Sequence, residues 1–309
     1  MRALLVFFTL SLYSLIFYSC SEVIDSRRID PPFGYAPREY EPAWSPDGQT
    51  IAFTSSTTSE GAGLYLIDTN GANLHRIVSG LIYSPAWSPD GQWIAYCMGQ
   101  EIYKVKYNGD SLTQLTSTYY NIDPTWSPDG EWIAYCNHYC GSGLDTTIPP
   151  NSCGMLLMRK DGSDKRFINR YYHTPDWYSS GSKIICLTAA GIAGVSIGDS
   201  LWSYDISTGQ KSFIYFLSKP QNLTNRFVKI SPDNNTIVFT SQRSDSGHSH
   251  AIWSLNADGT NLRKLAETCS SSCDWSPMGD KIVYGNCDEN NGHLWIMNKN
   301  GSNKKQLTY

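Results

Sequence analysis

The chain has 309 residues, with 25 glycines, 15 prolines, 20 tyrosines and 10 tryptophans, while charged residues make up only 17%. This turn-rich, aromatic-rich and charge-poor composition is typical of an all-β protein, and it excludes a coiled coil, a helical bundle and a disordered chain. The formal net charge of −4 leaves no basic excess for a phosphate backbone, so we expect no nucleic-acid partner.

The first twenty residues, 1–20, are predicted to be an export signal. Arg2 precedes a run from Ala3 to Tyr18 that is apolar apart from one threonine and two serines, and this run is short for a membrane span. A small residue before Cys20 resembles the bacterial lipobox and predicts lipidation of Cys20. Plain secretion and an uncleaved anchor are the alternatives. Ser21 fits outer-membrane sorting, so we expect a periplasmic or surface-exposed lipoprotein of the cell envelope.

Residues 21–40 are predicted to be a tether, because they show no regular period and contain three prolines. Twenty residues span at most about 70 Å when fully extended. The folded part, expected over residues 41–309, therefore stays close to the membrane.

Six related segments follow the tether. Each contains a variant of the sequence Pro-x-Trp-Ser-Pro-Asp-Gly followed by a run like Ile-Ala-Phe, and successive segments lie 39 to 53 residues apart. We use the tryptophan position of each segment as its anchor. The anchors are Trp44, Trp87, Trp126, Trp177, Ile230 and Trp275.

Each segment is predicted to form four antiparallel strands. Ser-Pro-Asp-Gly makes the first turn, because proline presets φ, aspartate bonds its own backbone and glycine accepts a positive φ. A later Asn-Gly or Asp-Gly predicts the hairpin between strands three and four. Four strands in about 45 residues form one propeller blade. The sequence therefore predicts an all-β fold, a six-bladed beta-propeller whose closing contact joins whole blades.

These repeats resemble the TolB-like propeller repeats, which are related to the WD type, over residues 41–309. The resemblance implies a periplasmic or surface propeller. TolB itself carries an α/β domain before its propeller, whereas only the tether is predicted here. We therefore take from the resemblance the fold and not the partner-binding role of TolB.

The repeated tryptophans and aspartates are predicted to be structural. One tryptophan per blade on the first strand is expected to pack between neighbouring sheets rather than to stack on sugars. The aspartates of the repeated turns are expected to cap those turns rather than to form a catalytic carboxylate pair. They are Asp47, Asp90, Asp129 and Asp233.

A ligand-binding surface is predicted on one face of the disc. The Ser-Pro-Asp-Gly turns lie on the face that we call the turn face. The connections from strand two to strand three and between blades lie on the opposite, loop face, with long insertions at 137–153 and 188–199. Binding groups concentrate on such loops. The predicted binding residues are Glu41, Asp123, His138, His173, Asp176, Arg226, His248 and His250, with Tyr40, Tyr83 and His293 near them.

Polar and aromatic groups around a funnel suit a peptide, a saccharide or a protein partner. Histidines beside carboxylates also suit a divalent ion, although three or more ligands must then converge. We interpret the chain as a monomeric binding or scaffold module that is not an enzyme and has no cofactor or metal. The alternative is a metal-dependent propeller lyase or hydrolase acting on a polysaccharide or peptide, similar to the seven-bladed oligogalacturonate lyases with their histidine cluster.

Two local patterns resemble catalytic or metal-binding motifs but do not meet the requirements of those motifs. Residues 194–198 match the Gly-x-Ser-x-Gly motif of hydrolases, but that motif requires a strand, a sharp turn and a helix, and a blade strand is expected to follow here. Two Cys-x-x-x-Cys spacings, beginning at Cys136 and Cys269, are not a strong zinc signature.

Eight cysteines remain besides Cys20, in a compartment where disulfides persist. Cys140 and Cys153 bracket an insertion and are predicted to staple it. Cys269 is expected to pair with Cys273 or Cys287. Cys186 is predicted to be a buried free thiol.

Overall fold

The computed structural model describes residues 39–56, 61–118, 120–138, 154–170, 172–192, 195–218, 227–242, 250–268, 272–288 and 291–309. These residues form 24 strands and contain no helix, hence none that is able to cross a membrane. Several predictions lie outside the described residues: the lipidation at Cys20, residues 21–38 of the tether, Arg226, His248, and the disulfide candidates Cys140, Cys153 and Cys269.

The strands follow one another in six groups of four. Blade 1 contains β1 (Glu39–Trp44), β2 (Thr50–Ser55), β3 (Gly63–Asp68) and β4 (His75–Ser79). Blade 2 contains β5 (Ile82–Trp87), β6 (Trp93–Met98), β7 (Glu101–Lys106) and β8 (Thr113–Gln114). Blade 3 contains β9 (Asn121–Trp126), β10 (Trp132–Asn137), β11 (Gly154–Arg159) and β12 (Arg166–Arg170).

The second half of the ring repeats this order. Blade 4 contains β13 (Tyr172–Trp177), β14 (Lys183–Ile192), β15 (Val195–Asp205) and β16 (Lys211–Ser218). Blade 5 contains β17 (Val228–Ile230), β18 (Thr236–Gln242), β19 (His250–Asn256) and β20 (Arg263–Thr268). Blade 6 contains β21 (Cys273–Trp275), β22 (Lys281–Asp288), β23 (Asn291–Asn298) and β24 (Lys305–Gln306).

Every blade is a four-stranded antiparallel sheet whose strands pair in chain order. The predicted six-bladed propeller is therefore confirmed. The four strands of each blade come from one continuous segment, so the ring closes by packing whole blades together, with β1 lying against β21, β22 and β23. The first strand begins at Glu39, two residues before the predicted start of the folded part.

The structure corrects three local predictions. Residues 188–199 do not form a loop, because β14 and β15 extend as a hairpin to Ile192 and Val195. The end of the Gly-x-Ser-x-Gly motif, 195–198, accordingly lies in a strand and not at a turn leading into a helix. His250 and His293 lie in β19 and β23 rather than in loops, since these strands also extend toward the loop face.

The anchor tryptophans join neighbouring blades, as predicted. Four of the five are buried, and Trp87 is half-buried. The indole Nε1 of Trp126 donates to the Ala86 carbonyl at 3.2 Å, and that of Trp177 donates to Thr125 at 3.2 Å. Trp87 bonds the carbonyl of the preceding blade in the same way at 3.1 Å. Burying each ring is worth about 4–6 kcal/mol at roughly 25 cal/mol per Å².

The repeated turns cap themselves and pack against each other around the turn face. In blade 1, the Asp47 carboxylate accepts hydrogen bonds from the Ser45 hydroxyl at 2.6 Å and from the Gln49 amide at 3.0 Å. The hydrogen bond from Ser45 holds the pKa of Asp47 below its ordinary value. The repeated turns at Asp90, Asp129 and Asp233 carry the same pair of hydrogen bonds.

The proline of one turn faces the glycine of the next. A Cβ at Gly130 would lie 3.3 Å from Pro89, and the same contact closes the ring between Pro277 of blade 6 and Gly48 of blade 1. Between blades 4 and 5, a serine and an asparagine replace this pair. The amide of Ser179 donates to Asn234 at 2.9 Å, and the Asn234 side chain donates back at 2.5 Å.

Candidate functional site

A channel opens at the centre of the ring. It is open to solvent, and residues of all six blades line it. Each blade contributes to the lining the residue three positions before its anchor, so the lining follows the six-fold repeat. These residues are Glu41, Ser84, Asp123, Thr174, Phe227 and Ser272.

Four of these six residues have a left-handed backbone. Glu41, Ser84, Asp123 and Thr174 have φ between 50° and 53°, and each precedes a proline, which disfavours the right-handed helical region for the residue before it. The pairing of the innermost strand with its neighbour shifts register at the same place. A bulge of this kind redirects a side chain. The equivalent residues of blades 5 and 6, Phe227 and Ser272, do not precede a proline.

The bulges of blades 1 to 3 bring two carboxylates to one side of the channel. The Ser84 amide donates to Glu41 Oε2 at 2.5 Å, and the Ser84 hydroxyl donates to Asp123 Oδ1 at 2.7 Å. Glu41 is buried, with 6% of its surface exposed. Two of the predicted binding residues are thus brought together, through a serine that the sequence analysis missed although it occupies the equivalent position in the repeat.

A second polar layer lies at the residues directly before the anchors of blades 4 to 6. Lys229 Nζ lies 3.3 Å from Asp176 and 3.9 Å from Asp274. Asp176 Oδ2 also accepts the Ile230 amide at 2.9 Å, and Asp274 Oδ2 accepts the Trp44 amide at 2.8 Å. We call Asp176, Lys229 and Asp274 the triad. Asp176, predicted to bind ligand, is therefore engaged in an ion pair, while Lys229 and Asp274 were not predicted.

Burial and charge act against each other within the triad. Burial raises the pKa of Asp274 to about 6, and the opposing effect of the Lys229 ammonium is smaller. For Lys229, burial works to lower the pKa, but the carboxylates of Asp176 and Asp274 raise it above its ordinary value. Lys229 therefore remains charged at any physiological pH.

The remaining predicted residues are more dispersed. His138 follows β10, where its amide donates to the Tyr120 carbonyl at 3.0 Å. His173 precedes the bulge of blade 4, and its carbonyl accepts the Thr174 hydroxyl at 2.8 Å. Within the described ranges, no three His, Cys, Asp or Glu side chains lie close enough to hold a metal ion.

A third polar cluster, also missed from the sequence, joins blades 2 and 3. The Glu101 carboxylate accepts the Thr116 hydroxyl at 2.5 Å and the Asn121 side-chain amide at 2.9 Å. Asn137 in turn donates to Asn121 at 2.9 Å. All four side chains are buried. Because these side chains form hydrogen bonds with one another, we interpret the cluster as a structural contact between blades 2 and 3.

The described cysteines are buried thiols. Cys97 is buried and its thiol donates to the Asn121 carbonyl. Cys136, Cys186 and Cys273 are buried free thiols, which confirms the prediction for Cys186. Cys273, a disulfide candidate, is instead a free thiol in the core of blade 6, where burial raises its pKa to about 12. The disulfides at Cys140, Cys153 and Cys269 remain predictions. A disulfide at Cys287 also remains a prediction, because its side chain is not among the described ones.

Comparison with known proteins identifies the class of fold. The sequence profile of the TolB beta propeller domain family matches residues 34–153. TolB from Acinetobacter baumannii superposes with a TM-score of 0.65 at 20% identity, covering 87% of this chain and 62% of that one. A structure attributed to TolB of Agrobacterium tumefaciens gives a TM-score of 0.59 at 20% identity, covering 84% of this chain and 90% of that one.

The chain is thus a six-bladed β-propeller whose fold is similar to that of TolB, and it spans 62% of the length of the Acinetobacter protein. An oligogalacturonate lyase in complex with manganese superposes with a TM-score of 0.54 at 12% identity, covering 84% of this chain and 89% of that one. A search of curated proteins finds no matching sequence. At these identities the structural likenesses establish the fold alone.

Proposed function

We propose that this chain is a membrane-tethered binding module of the cell envelope, which holds a protein, peptide or saccharide ligand at the loop-face mouth of its channel. The TolB-like fold supports an envelope location. The predicted export signal and Cys20 support an anchor in the membrane, and Ser21 supports the outer membrane.

The observation that carries the proposal is the mouth formed by Glu41, Ser84 and Asp123. Holding an ordinary residue in a left-handed conformation costs of the order of 1–3 kcal/mol, and such strain clusters at functional sites. Four successive blades carry it at the same position, around one open cavity. Fixed carboxylates at the mouth suit a ligand with ammonium, guanidinium or hydroxyl donors.

The rival function is a metal-dependent lyase or hydrolase. It requires three or more ligands that converge on one ion, and the loop-face histidines are the residues that would have to supply them. The likeness to the lyase rests on fold, at 12% identity, so it does not favour this rival over a binding role.

One paired experiment tests both functions. The double variant Asp123→Ala, His173→Ala alters the loop face, and the control Asp110→Ala, His75→Ala removes the same residue types from exposed positions toward the turn face. Cross-linked partners captured from envelope extracts are compared by mass spectrometry, and the purified proteins are analysed for metal.

We expect partners that the loop-face variant loses and the control retains. If the wild type contains stoichiometric metal and the loop-face variant does not, the metal-dependent enzyme is supported instead. If both variants keep the full partner set and no metal is present, the mouth is not a binding site.

A further inference from the structure

The six junctions between blades are held together in two ways. At three consecutive junctions, from blade 1 to blade 4, the anchor indole donates to a backbone carbonyl of the preceding blade. At the other three, the triad connects the blades. Asp176 bonds the Ile230 amide across the junction of blades 4 and 5, the Lys229 ammonium faces Asp274 across the next, and Asp274 bonds the Trp44 amide across the last.

The last of these junctions is where the ring closes. Blades 6 and 1 share no strand, so side-chain contacts and packing must hold the beginning and end of the propeller together. The indole Nε1 of Trp44 is buried without a hydrogen-bond partner among the described residues. The hydrogen bond from the Trp44 amide to Asp274 Oδ2, at 2.8 Å, is therefore a principal polar contact across the closure.

The triad contains one more negative than positive group. Two carboxylates share the single Lys229 ammonium, and the side chains of Asp176 and Asp274 are only 13% and 18% exposed. Water therefore screens the repulsion between them poorly. Among the described residues, the neutral Cys273 thiol lies beside Asp274 on β21, and Tyr178 interacts with Asp176. Glu41 on β1 and Asp123 on β9 add two further carboxylates to the same channel.

We propose that the closure between blades 6 and 1 is a proton-sensitive joint, in which protonation of Asp274 removes the excess charge of the triad and stabilises the closed ring. A protonated carboxyl group keeps its carbonyl oxygen, so it still accepts the Trp44 amide. Asp176 and Lys229 then remain as a neutral pair. The joint thus becomes tighter in acid without losing its hydrogen bond.

The direction of the effect follows from the ionisation of Asp274. Its pKa in the folded protein is raised to about 6, above the value of about 3.9 for an unfolded chain. The stabilisation is therefore fully present below pH 4 and is lost as the pH rises through 6. When the pH is lowered from 8 to 5, the protonation of Asp274 should increase the folded-to-unfolded ratio about tenfold.

The test compares urea unfolding of the wild type and Asp274→Asn at pH 8 and pH 5. Asparagine keeps the size and the carbonyl acceptor but carries no charge. The wild type should gain about tenfold more in its folded-to-unfolded ratio on acidification than Asp274→Asn does. The control Asp258→Asn removes an exposed turn carboxylate of blade 5, whose pKa is lowered by its hydrogen bond from Thr260, so this variant should follow the wild type.

A second measurement needs only the wild type, in case the asparagine variant does not fold. The hydrogen-exchange protection factor of the Trp44 amide should increase from pH 8 to pH 5, while that of the Trp126 amide, in blade 3, should increase by no more than the gain in global stability. An equal gain in stability for the wild type and Asp274→Asn overturns the proposal. Unchanged protection of the Trp44 amide also overturns it.

Discussion

Replacement of Trp126 tests how the blades are joined. Its ring is 8% exposed and packs among buried side chains of blades 2 and 3, including Leu115, Tyr135 and Met158. Its indole N–H also donates a hydrogen bond to the Ala86 carbonyl. Removing a buried tryptophan side chain costs about 3–5 kcal/mol through lost burial and the cavity left behind. We therefore expect Trp126→Ala to lower the free energy of unfolding by at least that much.

A matched pair of substitutions separates the hydrogen bond from the packing. Trp275 occupies the same position in blade 6 and is equally buried, but its Nε1 has no partner among the described residues. Both Trp126→Phe and Trp275→Phe keep an aromatic ring. Only the first leaves a carbonyl without its donor, so it should cost about 1 kcal/mol more.

The assay is urea unfolding followed by far-ultraviolet circular dichroism, which does not depend on tryptophan emission, with linear extrapolation to water. A loss below about 1 kcal/mol for Trp126→Ala would show that the ring is not packed between blades. Equal costs for the two phenylalanine variants would refute the role given to the indole hydrogen bond.

Three further predictions concern a glycine turn, the Glu101 cluster and the lipid anchor. Gly162→Ala should lower the free energy of unfolding by about 1–3 kcal/mol, because φ is +86° and the new Cβ would lie 2.9 Å from a carbonyl oxygen of blade 2. The control Gly99→Ala, with φ +60° and no neighbour within 4 Å, should lower it by about 1 kcal/mol. Equal losses for the two variants would contradict the close approach at Gly162. Glu101→Leu should lose about 2–3 kcal/mol in urea unfolding and Glu101→Gln much less, because glutamine retains an acceptor. Cys20→Ala should release the protein from membranes on fractionation, and an unacylated wild-type chain in intact-mass measurement would rule out the anchor.

The fold was predictable from the sequence because its signals are local and repeated. The Ser-Pro-Asp-Gly turns, the alternating apolar runs and the regular tryptophans each act within a few residues, and six copies make the blade count unambiguous. The hairpin at 188–199 was mistaken for a loop because glycine and alanine there hide the alternation of a strand. Glu41 and Asp123 were predicted because they stand at the entry into the first strand of a blade, which the repeat places on the loop face.

The triad was not predicted because its ion pairs join residues 45 and 53 positions apart. Nothing local marks Lys229 as the partner of Asp176 rather than a solvated lysine. Alignment of the repeats on their anchors would have placed Asp176, Lys229 and Asp274 in one register. Their burial, which raises the pKa of Asp274, follows only from the closed ring.

The register of the repeats also separates binding from closure. Directly before the anchor, blades 1 to 3 carry Ala43, Ala86 and Thr125, small residues whose carbonyls receive the next indole. Blades 4 to 6 carry the triad at that position. The carboxylates of the mouth lie instead on the bulges of blades 1 and 3. Since Asp123 and Asp274 occupy different registers and different blades, a variant that abolishes partner capture should leave the pH dependence of unfolding unchanged, and the converse should also hold.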